Sequence, residues 1–161
     1  MGRDGRTPGW RPPGRHGMLG PWTRCPSWTG TARPSPPTPV VHEVARRYAG
    51  RLARTDHVLL GRLLGTDPPS GFALDEAVRD GEVALVGRHR FSQYRLVFAI
   101  ADQAGGPGST LSVLSYAAFP GVQGRAYRAL LLGTGGHVLA VRQMLRAIRA
   151  EAERDQPGAA S

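Results

Sequence analysis

The sequence predicts an α+β domain, in which the strands follow one another and the helices lie apart from them. Two observations carry this prediction. Residues 72–119 hold short runs that alternate apolar and polar side chains, as strands do. Pro120 to Glu153 instead repeats its apolar residues at spacings of three and four, which is typical of one long helix or of two helices hinged in the middle. Such a stripe must pack on something, and the sheet is the best candidate.

The amino-acid composition says little about which class of function the protein has. The chain has 161 residues, which favours one domain, and a net charge of +9 from 21 basic and 12 acidic residues. All the basic residues are arginine, and Lys and Asn are absent, while Gly and Pro are abundant. This composition indicates GC-rich codon usage, so the excess of arginine is only weak support for binding nucleic acid.

The cysteine content and the hydropathy indicate where the protein works. Cys25 is the single cysteine, so an intrachain disulfide is impossible and a reducing cytoplasm is the simplest setting. The N-terminal residues lack the apolar core of a signal peptide, and no run approaches the roughly 20 apolar residues of a membrane helix. We therefore expect a soluble, cytoplasmic protein with no membrane span.

Residues 1–39 are expected to be a disordered extension rich in Pro, Gly and Arg. They hold nine of the 14 prolines and all three tryptophans, Trp10, Trp22 and Trp28. The alternative interpretation is a basic, aromatic arm that binds nucleic acid or an anionic surface, with an affinity that falls steeply with salt. Residues 40–154 form the predicted domain, and residues 155–161 a disordered tail.

The predicted domain opens with a helix over residues 40–54, in which Val41, Val44, Tyr48 and Leu52 share one side. A second, short helix over residues 57–65 follows, and the Asp67–Gly71 segment then breaks the chain. Four strands are predicted next, with an Asp80–Gly81 turn after the first and a loop around residues 103–108 before the last: residues 72–78, 82–90, 91–101 and 109–119. The second and third could form one continuous bent strand or a tight hairpin around residue 88, and residues 82–101 and 109–119 are expected to pair as an antiparallel hairpin.

Several short motifs give the chain a resemblance to a known family. They are GRHRFSQY (87–94), AFPGVQGRAYRALLLGTGGH (118–137), GRLLG (61–65) and SGF (70–72). Through them, residues 57–153 resemble actinobacterial proteins of the SRPBCC, or START-like, superfamily. The resemblance implies the helix-grip fold, in which a curved antiparallel sheet wraps a long C-terminal helix and encloses a cavity. That superfamily usually opens with a strand, whereas residues 40–54 here read as a helix.

The resemblance implies a pocket for a small hydrophobic or amphipathic molecule between the sheet and the C-terminal helix. The same side chains could instead fill a plain core, and alternation leaves open which sheet face looks inward. The candidate ligand-binding residues combine a polar group in the second strand with apolar and aromatic side chains from the third and fourth strands and the last helix: Arg88, His89, Arg90, Tyr94, Leu96, Phe98, Leu114, Tyr116, Tyr127, Leu131 and Val138.

His89 lies between two arginines, and in a strand it would point away from both. Arg88 and Arg90 could bind a carboxylate or phosphate of the ligand, because a guanidinium group binds such groups bidentately. The alternative is a solvated basic edge whose arginines pair with Glu82 or Asp75.

Signals for catalysis are weak. The five histidines lack paired metal-ligand spacing, and the glycine run before His137 lacks the Lys-Ser/Thr ending of a phosphate-binding loop. The serines have no nucleophile-elbow context. We predict no metal and no cofactor, and a cyclase-like or hydrolase-like enzyme using the same pocket stays an alternative to a binding protein.

Overall fold

A computed structural model describes residues 23–24, 30–32, 36–54, 65–75 and 78–156, and these residues have an α+β fold. The fold class predicted from the sequence is therefore confirmed. In chain order the elements are β1 (Thr23–Arg24), β2 (Gly30–Ala32), α1 (Thr38–Arg54), β3 (Ala73–Asp75), β4 (Glu82–His89), β5 (Ser92–Asp102), β6 (Ser109–Ala118), α2 (Gly121–Thr134) and α3 (Gly136–Arg154).

Strands β3 to β6 form an open antiparallel meander, in which each strand pairs with the next. The turn between β4 and β5 has only two residues, Arg90 and Phe91, because His89 is already paired with Ser92. Strands β5 and β6 pair over their whole length, from Gln93 opposite Ala118 to Asp102 opposite Ser109. For β4 and β5 the tight hairpin is thus the one observed of the two alternatives, and β5 and β6 form the predicted antiparallel hairpin. The registers fix which side chains share a face.

One face of the meander forms the core with the helices. Strands β4, β5 and β6 contribute alternate apolar side chains to it, among them Leu85, Phe98 and Val113, which are fully buried. Helix α1 lies across this face and contacts β3, β4, β5 and β6, and it buries Val41 and Val44. The middle of the sheet is therefore covered by α1, which the sequence analysis did not assign to that position.

Helix α3 packs beside α1 and over the edge of the sheet formed by β2 and β6. Its buried residues are Val141, Leu145, Ile148 and Ala152, which belong to the stripe predicted from the sequence. The C-terminal helix thus packs on the sheet as predicted, but at one edge and against a second helix.

The predicted helix over residues 120–153 is divided in two. Gly135 has a left-handed backbone conformation (φ 63°), which ends α2 and places α3 in a new direction. The amide groups of Val138 and Leu139 donate to the carbonyl of Gly135, which starts α3. Of the two alternatives left open by the sequence, two hinged helices is the one observed. None of the helices in the described residues is long and apolar enough to cross a membrane.

Strands β1 and β2 lie within the segment that composition assigned to an extension. Both pair with the outer edge of β6: Thr23 lies opposite Ala117, and Gly30 opposite Val113. The hydroxyl of Ser109 also donates to the carbonyl of Pro36, at 2.9 Å, just before α1 begins. Composition did not indicate these pairings. The rest of residues 1–35, and the predicted short helix over 57–65 up to residue 64, lie outside the described residues.

Candidate functional site

Six aromatic rings meet at one end of the core-facing side of the sheet, next to the β4–β5 turn. We call this group the aromatic cluster; its members are Phe72, His89, Phe91, Tyr94, Phe119 and Tyr127. All six are half-buried, whereas the apolar side chains beneath α1 are almost completely buried. The cluster is therefore neither part of the closed core nor an ordinary solvated surface.

Tyr127 of α2 is the centre of the cluster. The centroid of its ring lies 4.9 Å from that of His89 in an edge-to-face arrangement, and 5.9 Å from that of Phe91 in a stacked one. The ring of Phe119 lies 6.3 Å away. These distances lie within the range in which aromatic pairs attract each other. Helix α2 is thus held to the end of the sheet through aromatic contacts.

Gly87 makes room for the deepest ring of the cluster. It lies opposite Tyr94 in the β4–β5 register, and a Cβ at Gly87 would lie 2.1 Å from the carbonyl oxygen of Gly71 and 2.7 Å from the Tyr94 ring. Because glycine lacks this atom, the Tyr94 hydroxyl reaches the carbonyl of Gly71 and donates a hydrogen bond to it. Burial, with a smaller effect of Tyr127, raises the pKa of Tyr94 to about 12.

Gly124 lets helix α2 approach the end of the sheet closely. A Cβ at this position would lie 2.7 Å from the carbonyl carbon of Phe119 and 3.0 Å from the carbonyl oxygen of Phe91. The first turn of α2 can therefore lie directly against the end of β6 and the β4–β5 turn. This close approach is what places Tyr127, three residues later, over His89.

His89 supplies a polar group to the cluster. Its Nδ1 accepts a hydrogen bond from the amide of Phe91, at 3.1 Å, so the neutral ring carries its proton on Nε2. Burial lowers the pKa of His89, which favours this neutral form. The arrangement makes Nε2–H a hydrogen-bond donor. It does not make His89 a ready general base, because the basic nitrogen is occupied by the Phe91 amide.

The two arginines beside His89 have separate environments. Arg88 lies on the opposite face, as alternation predicted, and its Nε donates to Asp67 Oδ2 at 2.8 Å. Backbone hydrogen bonds between the same two residues hold Asp67 in place. The prediction that Arg88 pairs with Glu82 or Asp75 was wrong. The segment that contains Asp67 lies alongside the end of β4, so Asp67 is the partner of Arg88. Arg90 is exposed in the β4–β5 turn, beside the cluster.

The remaining candidate residues fall into two further groups. Leu96 and Phe98 are buried on the core face beneath the helices, and Val138 is half-buried in the first turn of α3. Leu114 and Tyr116 are half-buried on the opposite face, where the register places Tyr116 beside Arg95. The structure therefore does not bring Leu114 and Tyr116 together with the aromatic cluster. Leu131 lies within α2, and its side chain is outside the described residues.

The opposite face carries its own ion pair. Arg95 Nη2 lies 3.0 Å from Asp75 Oδ2, and both side chains are largely buried. Asp75 thus pairs with Arg95 of β5. This ion pair links β3 to β5 across the intervening strand β4, so its role is to hold the sheet together.

Sequence reasoning missed three rings of the site, Phe72, Phe91 and Phe119, and the two glycines that let the rings approach. Each of these rings was the first or last residue of a predicted strand, and in the structure each lies just outside a strand or in a turn. A glycine opposite a tyrosine in a predicted hairpin was the signal that could have found Gly87. Within the described part of the chain, no group of three or more His, Cys, Asp or Glu residues could hold a metal ion.

Comparisons with known proteins add no assignment. No protein-family model matches the chain, and no curated protein matches it.

Proposed function

We propose that the chain is a START-like protein of the helix-grip type that binds a small hydrophobic or amphipathic molecule at the aromatic cluster. The ligand would lie between the end of the sheet and the C-terminal helices, with its apolar part against the rings. The protein would act in the cytoplasm as a binding protein. The observation that carries this proposal is that six half-buried rings meet at one end of the sheet. At this end the helix next to the sheet is α2, whereas α1 covers the middle of the sheet.

The element order is compatible with the helix-grip type. Short strands precede α1, a four-stranded meander follows, and helices α2 and α3 end the domain. The START-like resemblance expects an opening strand, and β1 and β2 occupy that place in the chain order. The role of α1 as the main cover of the sheet is the feature that the resemblance did not imply.

The chemistry of the cluster favours an amphipathic ligand over a purely aliphatic one. Ligand sites combine an apolar wall with a few oriented polar groups. Here the wall is aromatic, and the Nε2–H of His89 and the hydroxyl of Tyr127 make no hydrogen bond to another described residue. Arg90 adds a positive charge at the turn beside them. A ligand with ring or acyl character and a hydrogen-bond acceptor or anionic group fits these features.

Fluorescence titration with 1-anilinonaphthalene-8-sulfonate tests the proposal, because this probe has two ring systems and one anionic group. We expect saturable binding to the folded protein. Tyr127→Ala should weaken it by about tenfold, since the ring at the centre of the cluster is removed. Tyr116→Ala is the matched control: it removes the same side chain from the opposite face and should leave the affinity within about twofold.

Circular dichroism at the same temperature shows whether each variant is folded, because a partly unfolded protein also binds this probe. If Tyr116→Ala weakens binding and Tyr127→Ala does not, the site is on the other face and the proposal is wrong. Absence of saturable binding to the folded wild type also rejects it for amphipathic aromatic ligands. Native mass spectrometry of protein from its own host would then identify the class of any bound molecule.

A further inference from the structure

Helix α2 has an exposed apolar stripe, which is separate from the side of the helix that contributes to the aromatic cluster. The stripe consists of Val122, Ala126, Ala129, Leu130 and Gly133, which follow one another at helical spacing and are all exposed. Val122 is 72% exposed and Leu130 is 65% exposed, the highest values among the large apolar side chains that the structure describes. The opposite side of the helix, with Gly124 and Tyr127, faces the sheet.

The part of the chain that contains this stripe carries charges of one sign. Between Gln103 and Ala150 the sequence contains five arginines and no acidic residue. Arg125 borders the stripe on one side of α2, Arg128 lies further round the helix on that same side, and both are exposed. Helix α3 continues the pattern, with Leu139 56% exposed and Arg142 and Arg146 exposed on the same side of the helix. The acidic residues of α3 lie at its far end, where Glu151 pairs with Arg51 of α1.

We propose that α2 docks the protein on an anionic lipid bilayer. A helix with an exposed apolar stripe and arginines beside it can lie in the interface of such a bilayer: the apolar side chains enter the headgroup region and the guanidinium groups bind lipid phosphates. A folded protein partner could also cover an apolar stripe, but the complete absence of acidic residues over 48 consecutive positions favours a uniformly anionic surface.

Docking through α2 would place the aromatic cluster next to the bilayer, from which an amphipathic ligand would come. Tyr127 lies on the inner side of the same helix that carries the stripe, so a molecule leaving the bilayer would reach the aromatic cluster past α2. This part of the inference rests on the proposed function. Docking itself does not, because the stripe and the arginines are separate from the cluster.

Co-sedimentation of the full chain with vesicles tests the docking. Vesicles of phosphatidylcholine containing about one-third phosphatidylglycerol should bind the protein, and binding should fall about tenfold between roughly 0.05 and 0.5 M salt. Arg125→Gln with Arg128→Gln should weaken binding by about tenfold or more. Arg3→Gln with Arg6→Gln removes the same charge from the N-terminal segment and should change it by about twofold at most.

A second pair of variants tests the apolar part. Leu130→Gln should weaken vesicle binding about tenfold, whereas Leu74→Gln, at an exposed leucine of β3, should leave it nearly unchanged. No binding to the anionic vesicles, or equal loss in test and control variants, overturns docking through α2. An unrelated DNA duplex could also compete with the vesicles for the protein. If it competes equally well, and the same arginine substitutions abolish its binding, the surface is assigned to nucleic acid instead. Probe binding retained with vesicle binding absent would leave the proposed function standing and reject this inference alone.

Discussion

Gly87 is the residue on which the geometry of the candidate site depends most. Its missing side chain lets the Tyr94 ring and the Gly71 carbonyl occupy the same small space. Tyr94 lies across the β4–β5 hairpin from Gly87, and Gly71 comes from a separate segment, so the need for a glycine arises only when β4 pairs with β5. Residue-level features of this kind follow from register, and the sequence predicts them only if the register is already known.

Gly87→Ala is predicted to destabilise the protein by about 1–3 kcal/mol, because a Cβ would force the Tyr94 ring or the Gly71 backbone to move. Urea unfolding followed by circular dichroism measures the change. Gly133→Ala in α2 is the matched control, since nothing lies within 4 Å of a Cβ there and alanine favours a helix. Equal stability changes in the two variants would contradict this account of Gly87.

Tyr94 is predicted to ionise well after an ordinary tyrosine. Because burial raises its pKa to about 12, the folded protein favours the neutral phenol. Its contribution to stability is therefore complete below the ordinary tyrosine pKa of about 10 and is lost as the pH rises towards 12. A spectrophotometric titration of the wild type and of Tyr94→Phe isolates this step. A difference curve centred near the ordinary value would show that Tyr94 is not buried as described.

At the scale of the elements, most boundaries follow from local patterns. The alternation in β4, β5 and β6 and the stripe in α3 predict the elements that the structure contains. Gly135 ends α2 because its left-handed conformation favours glycine, and the sequence left this break as one of two alternatives. The position of α1 over the sheet was not predictable, because its apolar stripe shows only that it packs and not on what.

Helices α1 and α3 are joined by ion pairs that short sequence windows cannot reveal. Arg51 contacts Glu151 through both oxygens, with 3.2 Å between Nη1 and Oε1, and Arg47 contacts Asp155 and Glu151. The partners are about a hundred positions apart in the chain. The side chains are partly exposed, so each contact contributes little, and together they link the second half of α1 to the C-terminal end of α3.

Arg51→Gln is predicted to lower the free energy of unfolding at neutral pH by about 0.5–1 kcal/mol, less in high salt. The hydrogen bond from Arg51 lowers the pKa of Glu151. The stabilisation is therefore present above the ordinary glutamate pKa and is lost as the pH falls through the lowered value. Urea unfolding at several pH values measures it, with Arg54→Gln, the last residue of α1, as the control. A deficit that persists unchanged in strong acid would mean that the ion pair is not the cause.

At the scale of the whole molecule, the sequence predicted the class of the fold better than the location of the site. His89, Tyr94 and Tyr127 were candidate residues and do meet, whereas Leu114 and Tyr116 lie on the opposite face. Alternation gives two faces but not the identity of the inner one, which depends on where α1 and α3 pack. Strands β1 and β2 also depend on a long-range partner, the outer edge of β6, so composition gave no sign of them.

In the proposed function the ligand binds at the aromatic cluster and not in the sealed core. The rings of the cluster come from three separate parts of the chain: the segment before β3, the turn end of the β4–β5 hairpin, and the end of β6 with α2. A filled core would have buried them, and a surface with no role would have had little reason to gather them. The half-burial of all six rings is the common feature that a bound molecule would explain.

The most direct test is a nuclear magnetic resonance titration of the histidine rings with 1-anilinonaphthalene-8-sulfonate, in protein labelled at the histidine Cε1 position. The His89 signal is assigned by its loss in His89→Gln. Binding at the aromatic cluster should move the His89 signal in proportion to saturation, while the signals of His42 in α1 and His137 in α3 move little. Saturable binding that leaves the His89 signal unchanged would show that the ligand binds elsewhere and would reject the aromatic cluster as the site.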